Sequence, residues 1–160
     1  MAKLNSTLTE IYWVMFSKIL VFLAICCLVI VSSCSQTKEF PEKYKHDQIH
    51  FGQGGGFTGM VTYFVLLEDG RLFQRNLRDS TYTLSDRWNK DFVHQMFSNY
   101  KLFHFDELTY YEPGDLYYFI EYHQKEESIY KVAWGKPGFR PDENLVTYYN
   151  LLFKSTKSKS

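Results

Sequence analysis

Cysteine, histidine and closely spaced glycine are the residue types in this chain that can support chemistry. Cys34 follows Val31, Ser32 and Ser33, the pattern of an aliphatic residue and two small residues that precedes a lipidated cysteine in bacteria. Small residues fit the narrow cleft of a signal peptidase, and the thiol is the nucleophile that takes the diacylglycerol. The pattern predicts that Cys34 is acylated. A cysteine at the end of a membrane helix is the alternative interpretation.

The residues before Cys34 predict a lipoprotein signal peptide over residues 1–33. Lys3 and Lys18 flank an uncharged run from Ile19 to Val31. The run is shorter than the ~20 apolar residues of a membrane-spanning helix and suits the apolar region of a signal peptide. An uncleaved anchor is the alternative.

The same motif predicts the composition and location of the mature chain. Cys26 and Cys27 lie in the apolar run and would be removed with it, which excludes a disulfide framework or a cysteine-based zinc site. Residues 34–47 are polar and predict a lipidated tether. Two or three acyl chains hold a protein durably on a membrane. The expected location is the bacterial cell envelope, with the outer membrane favoured because Ser35 rather than an aspartate follows Cys34.

The histidines do not form a recognisable catalytic motif. His104 and Asp106 would share one side of a strand as a possible metal or acid–base pair, although a surface hydrogen bond is the commoner role for such a pair. The sequence contains neither a Ser/His/Asp elbow motif nor His-Glu-x-x-His. We therefore expect no catalytic residue, no metal site, no cofactor and no enzyme activity. A cleft joining His104 and Asp106 to a third ionisable group would revive the enzyme class.

Composition points to a globular, sheet-rich protein. Hydrophobic residues make up 45% and charged residues 22%, which argues against disorder. The 19% aromatic content favours strands. Because 18 basic residues balance 18 acidic ones, no basic excess indicates nucleic-acid binding.

The most unusual stretch is Gly52–Met60, with the sequence Gly-Gln-Gly-Gly-Gly-Phe-Thr-Gly-Met. It contains the Gly-x-Gly-x-x-Gly pattern of dinucleotide-binding proteins, but a β-branched segment follows it instead of the helix that binds pyrophosphate. Nucleotide binding is therefore not expected. The glycines instead predict a tight turn that joins two strands and presents Phe57. Phe57 either points outward towards a partner or packs beneath the turn.

Periodicity predicts one α+β domain over residues 48–154, with a mostly antiparallel sheet of about five strands and two helices. Asp69-Gly70 is typical of a hairpin turn. The first helix is expected over residues 85–99, capped by Thr83 or Ser85, and Pro141 is expected to open the second. Residues 155–160 are expected to form a flexible tail. The predicted strands are 48–51, 60–67, 72–77, 116–123 and 128–134.

The stretch from Ile49 to Gly59 resembles the opening strand and the Gly-Gly-Phe-Ala-Gly turn of the emfourins, small bacterial protein inhibitors of thermolysin-like metalloproteases. A Tyr-x-Ile-x-Tyr strand at Tyr118–Tyr122 and a closing helix extend the similarity over residues 48–153. Thr58 stands where alanine is usual in the family. The resemblance implies that the turn contacts a partner protein, with a metalloprotease as the candidate, through Gly55, Gly56, Phe57, Thr58 and Gly59.

Two functions follow as hypotheses. The first is a membrane-anchored binding module, acting as a protease inhibitor through the turn around Phe57. The alternative is a non-inhibitory envelope lipoprotein that serves as an accessory subunit of a membrane complex and uses its aromatic sheet face.

Overall fold

In a computed structural model of the chain, residues 18, 40–124 and 128–157 are described. Apart from Lys18, the predicted signal peptide lies outside the described residues, as do Cys34 and residues 158–160. Among the described residues, no helix combines the length and the apolar character needed to cross a membrane.

The described residues form one seven-stranded sheet and two α-helices. Every neighbouring strand pair is antiparallel except one short parallel pair, in which Tyr111 and Glu112 lie opposite Ala133 and Trp134. This confirms the predicted α+β class and the mostly antiparallel sheet, but the sheet has seven strands rather than about five. The strands are β1 (Gln48–Gly55), β2 (Val61–Leu67), β3 (Arg71–Arg75), β4 (Tyr82–Arg87), β5 (Tyr111–Glu112), β6 (Leu116–Gln124) and β7 (Ser128–Trp134), in the spatial order β4-β3-β2-β1-β6-β7-β5.

The prediction for the first helix was wrong at its start. Residues 82–87 pair with β3 as strand β4, so Thr83 and Ser85 are not caps. Helix α1 spans Lys90–Leu102, and Asn89 Oδ1 caps it by accepting hydrogen bonds from the first-turn amides. The backbone bonds that β4 makes to β3 outweigh the local capping signal, because a strand edge offers a complete row of partners.

The prediction of a closing helix is confirmed. Helix α2 spans Glu143–Ser155, and Asp142 caps it by accepting a hydrogen bond of 2.9 Å from Leu145 N. Pro141 therefore precedes the cap and does not open the helix. The residues predicted to share one apolar face are all buried: Leu145, Tyr148, Tyr149 and Leu152.

Both helices cover one face of the sheet and form the main core with it. Alternate strand residues point into this core, including Ile49, Phe51 and Ile120. Tyr148 Oη of α2 donates a hydrogen bond of 3.1 Å to Met96 O of α1, which ties the two helices together. The opposite face, here called the open face, carries a smaller cluster: Tyr44, Tyr63, Val65, Leu67, Phe73, Phe119 and Ala133.

Residues 40–47, predicted as part of the tether, pack against the open face. Pro41 and Tyr44 are buried, and the Phe40 ring lies 6.4 Å from that of Phe73. Gln48 Nε2 donates hydrogen bonds to both the Pro41 and Tyr44 carbonyls. The folded domain therefore includes this segment, because its aromatic and proline side chains bury apolar surface.

Candidate functional site

The glycine-rich stretch divides into a strand and a turn. Strand β1 continues through Gly55, so the turn begins at Gly56 and not at Gly52 as predicted. A Cβ on Gly52 would overlap Thr62 O and lie 2.8 Å from Phe119 Cζ. One on Gly54 would lie 2.6 Å from Tyr117 Cζ. These two strand glycines make room for aromatic side chains of β6.

Three further glycines shape the turn itself. Gly55, Gly56 and Gly59 have φ values of +94°, +74° and +61°, a region that side chains disfavour. Gly56 N donates a hydrogen bond of 2.6 Å to Asp115 O, which anchors the turn to the loop before β6. The conformation is thus set by glycine backbones and by one contact outside the turn.

The side chain at the tip of this turn points into solvent. Phe57 is fully exposed, at 108% of its reference accessibility, and nearby Met60 is 73% exposed. The Phe57 side chain therefore points outward and does not pack beneath the turn. The segment Gly55–Gly59, which comprises the last residue of β1 and the turn after it, is called the glycine turn below.

The His104 and Asp106 pair predicted on a strand does not form. His104 has a φ of +54° after the end of α1, and Asp106 lies in a short 3-10 helix, Phe105–Glu107. His104 Nδ1 lies 3.1 Å from Glu107 Oε1 instead. The residues around this pair form the end of α1 and a 3-10 helix instead of a strand. The strand geometry that was assumed for the pair is therefore absent.

A polar cluster on the open face was not predicted. His50 of β1 lies directly opposite Glu121 of β6, and His123 follows two residues later on the same face. The His50 and His123 rings stack with centroids 3.7 Å apart. Tyr63 Oη lies 2.9 Å from His50 Nδ1 and donates a hydrogen bond of 3.2 Å to Glu121 Oε2. His50, Glu121 and His123 are called the histidine cluster below.

The surroundings shift the pKa values in the histidine cluster. Burial, together with the charge of His123, lowers the pKa of His50 to about 3. Burial acts to raise the pKa of Glu121, but hydrogen bonds from His123 and Lys131 outweigh it and lower that pKa to about 2. Burial and the Glu121 charge raise the pKa of Tyr63 above its usual range. At neutral pH the site therefore holds a neutral imidazole beside an ionised carboxylate.

A cleft of ≈ 390 Å³ opens onto the histidine cluster. Pro41, Glu42 and Tyr44 form one wall. The Arg75 guanidinium lies over the rings of Tyr63 and Tyr82, at 5.4 and 5.5 Å. The full lining is Pro41, Glu42, Tyr44, Gln48, His50, Tyr63, Arg75, Tyr82, Glu121 and His123.

The sequence carried a partial signal for this cluster. Glu121 and His123 alternate with apolar residues on a predicted strand, which places both on one face. Their meeting with His50 depends on the register between β1 and β6, which no local pattern specifies.

Two features of the fold thus qualify as sites: the exposed glycine turn and the histidine cluster. No protein-family model matches the chain, and no curated protein matches it. The resemblance to the emfourins stays a prediction.

Proposed function

We propose that this protein is a membrane-anchored binding module that holds another protein through its glycine turn, with Phe57 as the inserted side chain. The observation that carries the proposal is the full exposure of Phe57 on an anchored turn. A phenylalanine in water gains ~1.5–3 kcal/mol when it is buried. An exposed aromatic side chain therefore favours binding to an apolar pocket.

The turn is well suited to insertion. Its backbone is held by the Gly56–Asp115 hydrogen bond, so little conformational freedom is lost on binding. A Cβ added at Gly56 or Gly59 would meet nothing within 4 Å. A partner's backbone can therefore approach these glycines closely, while Phe57 supplies the kind of aromatic anchor that dominates many interfaces.

The partner we propose is a thermolysin-like metalloprotease, and the proposed effect is inhibition. The resemblance of Gly55-Gly-Phe-Thr-Gly59 to the emfourin turn supports this choice. Phe57 would occupy an apolar specificity pocket of the protease and exclude its substrates.

Acylation of Cys34 would keep this interaction at the cell envelope. Residues 35–39 separate the proposed lipid site from Phe40, the first residue of the described domain, and a segment of that length spans at most roughly 20 Å. The domain would then lie close to the bilayer, with the outer membrane as the proposed location.

Inhibition of a thermolysin-like protease by the full chain in detergent micelles tests the proposal. We expect wild type to slow peptide hydrolysis, and Phe57→Ala to weaken inhibition by about tenfold or more because an interface anchor is lost. Leu102→Ala is the matched control, since Leu102 is also an exposed apolar residue but lies at the end of α1. All three proteins should share one melting temperature.

Two results would contradict inhibition through Phe57. One is no inhibition by wild type at high micromolar concentration. The other is equal inhibition by wild type and Phe57→Ala.

The open face supports the second candidate, an accessory subunit of an envelope complex. Tyr111 is largely exposed there and contacts Lys131, whose Nζ lies 5.7 Å from its ring centroid. Crosslinking in whole cells separates the candidates. A complex that survives Phe57→Ala but is lost in Tyr111→Ala would favour the accessory subunit.

A further inference from the structure

We infer that His50, Glu121 and His123 form a binding site for a divalent transition-metal ion of the zinc type. The inference goes beyond the proposed function, because it concerns the open face and involves no residue of the glycine turn.

The sheet brings the three donor groups together. His50 and Glu121 are direct partners in the register of β1 and β6, and His123 lies two residues further along the same face. One potential ligand atom from each of the three residues lies within 4.8 Å of the others. Two imidazole nitrogens and one carboxylate oxygen are a donor set that zinc and iron sites use, with a position left for water or another ligand.

Gln48 orients His50 as an outer-shell residue does in metal sites. Gln48 Nε2 donates to two backbone carbonyls, so its Oε1 faces His50. His50 Nε2 lies 3.1 Å from that oxygen and must therefore carry the proton. The Nδ1 lone pair consequently points into the cluster, and a carbonyl partner on the second ring nitrogen is typical of metal-binding histidines.

The acceptors of the cluster share the protons of Tyr63 and His123. Tyr63 Oη lies within hydrogen-bond distance of both His50 Nδ1 and Glu121 Oε2. Its one proton reaches one of these two acceptors at a time, and His123 Nε2, which lies 3.4 Å from Glu121 Oε2, supplies a second donor there. A bound cation would take the place of these protons, because the lone pairs of His50 Nδ1 and Glu121 Oε2 that accept hydrogen bonds can also be donated to a metal ion.

Two cations near the site set limits on how the metal binds. Lys131 Nζ lies 2.7 Å from Glu121 Oε1, which leaves Oε2 as the oxygen for the metal and makes Lys131 an outer-shell partner. Arg75 is held over the Tyr63 and Tyr82 rings. Its charge opposes a metal ion and favours a moderate affinity.

Binding requires one side chain to turn. The two imidazole rings are stacked, with 17° between their planes, so their nitrogen lone pairs do not converge on one point. The His123 side chain is 23% exposed and borders the cleft, so it has room to rotate. The metal replaces the proton on His123 Nε2, which moves to the other ring nitrogen or to water.

Cobalt titration of the tag-free full chain in detergent tests the site, since tetrahedral Co²⁺ absorbs strongly in the visible range. We expect saturable binding of one ion. His123→Ala and Glu121→Gln should weaken it by at least about tenfold, and Gln48→Leu by about 10–100-fold as an outer-shell loss. His94→Ala is the control, because His94 is exposed on α1.

Thermal unfolding with and without Zn²⁺ gives a second, independent measurement of metal binding. Zn²⁺ should raise the melting temperature of wild type and of Phe57→Ala, but not of His123→Ala. The inference is overturned if Co²⁺ does not bind saturably. It is also overturned if His123→Ala and Glu121→Gln bind Co²⁺ as well as wild type, because the ion would then sit elsewhere.

Discussion

Tyr122 Oη donates a hydrogen bond of 2.5 Å to Oδ2 of Asp47, and both residues are buried. Lys101 Nζ of α1 lies 3.2 Å from the same oxygen. One carboxylate therefore joins the segment before β1, the centre of the sheet and the first helix. This junction explains why the folded domain extends upstream of Gln48.

Removing the Tyr122 hydroxyl should destabilise the domain. Tyr122→Phe leaves the buried Asp47 carboxylate with one fewer donor, and we expect a loss of ~1–3 kcal/mol in the free energy of unfolding. Urea denaturation measures the change. Tyr111→Phe, on an exposed ring, should stay within about 0.5 kcal/mol of wild type. Equal stabilities of the two variants would argue against the Asp47 junction.

Gly52 and Gly56 should respond differently to alanine. Gly52→Ala places a Cβ against Thr62 O and the Phe119 ring, so we expect a loss of about 3 kcal/mol or more. Gly56→Ala meets no neighbour and bears only the cost of its positive φ, roughly 1–2 kcal/mol. Urea denaturation of both variants checks the order. If Gly56→Ala lowered the free energy of unfolding more than Gly52→Ala, the turn and not strand β1 would have the stricter requirement for glycine.

Capping variants should locate the start of α1. Asn89→Ala removes the side chain that accepts from Asp91 N and Phe92 N, at an expected cost of ~1 kcal/mol. Ser85→Ala, in the exposed strand β4, should change stability by less than about 0.5 kcal/mol. Thermal unfolding compares them. The reverse order would support a helix that starts at Ser85.

Stability should fall at alkaline pH because buried tyrosines resist ionisation. Burial, with the Asp69 charge, raises the pKa of Tyr44 to about 12, and burial raises those of Tyr100 and Tyr148 well above the usual value. An unfolded tyrosine ionises near pH ~10. Above that pH the unfolded chain holds fewer protons than the folded chain, so the free energy of unfolding decreases as pH rises.

Melting temperatures measured from pH ~8 to ~12 check this prediction, with tyrosinate absorbance as the second measurement. We expect the melting temperature to fall above pH ~10, and the buried tyrosines to form tyrosinate only together with unfolding. A folded protein whose tyrosines all ionise near pH ~10 would contradict the burial of these rings.

Local patterns in the sequence were sufficient for several elements. A run of β-branched, aromatic and aliphatic residues predicted β2, and Asp69-Gly70 predicted the hairpin, in which Gly70 has a φ of +92°. Helical spacing predicted the buried face of α2. These signals depend on residues close in sequence, since periodicity and turn chemistry are local properties.

The tertiary structure decided what depends on distant partners. Pairing with β3 made residues 82–87 a strand, although their capping residues favoured a helix. The aromatic rings of β6 pack against Gly52 and Gly54 of β1, which is why glycine is needed at these two strand positions. The same register brought His50 to Glu121 and His123. The sequence alone was sufficient to predict the α+β class and to identify Phe57 as the residue that the turn presents. The exposure of Phe57 and the histidine cluster arose only in three dimensions, because strand register sets which distant side chains meet.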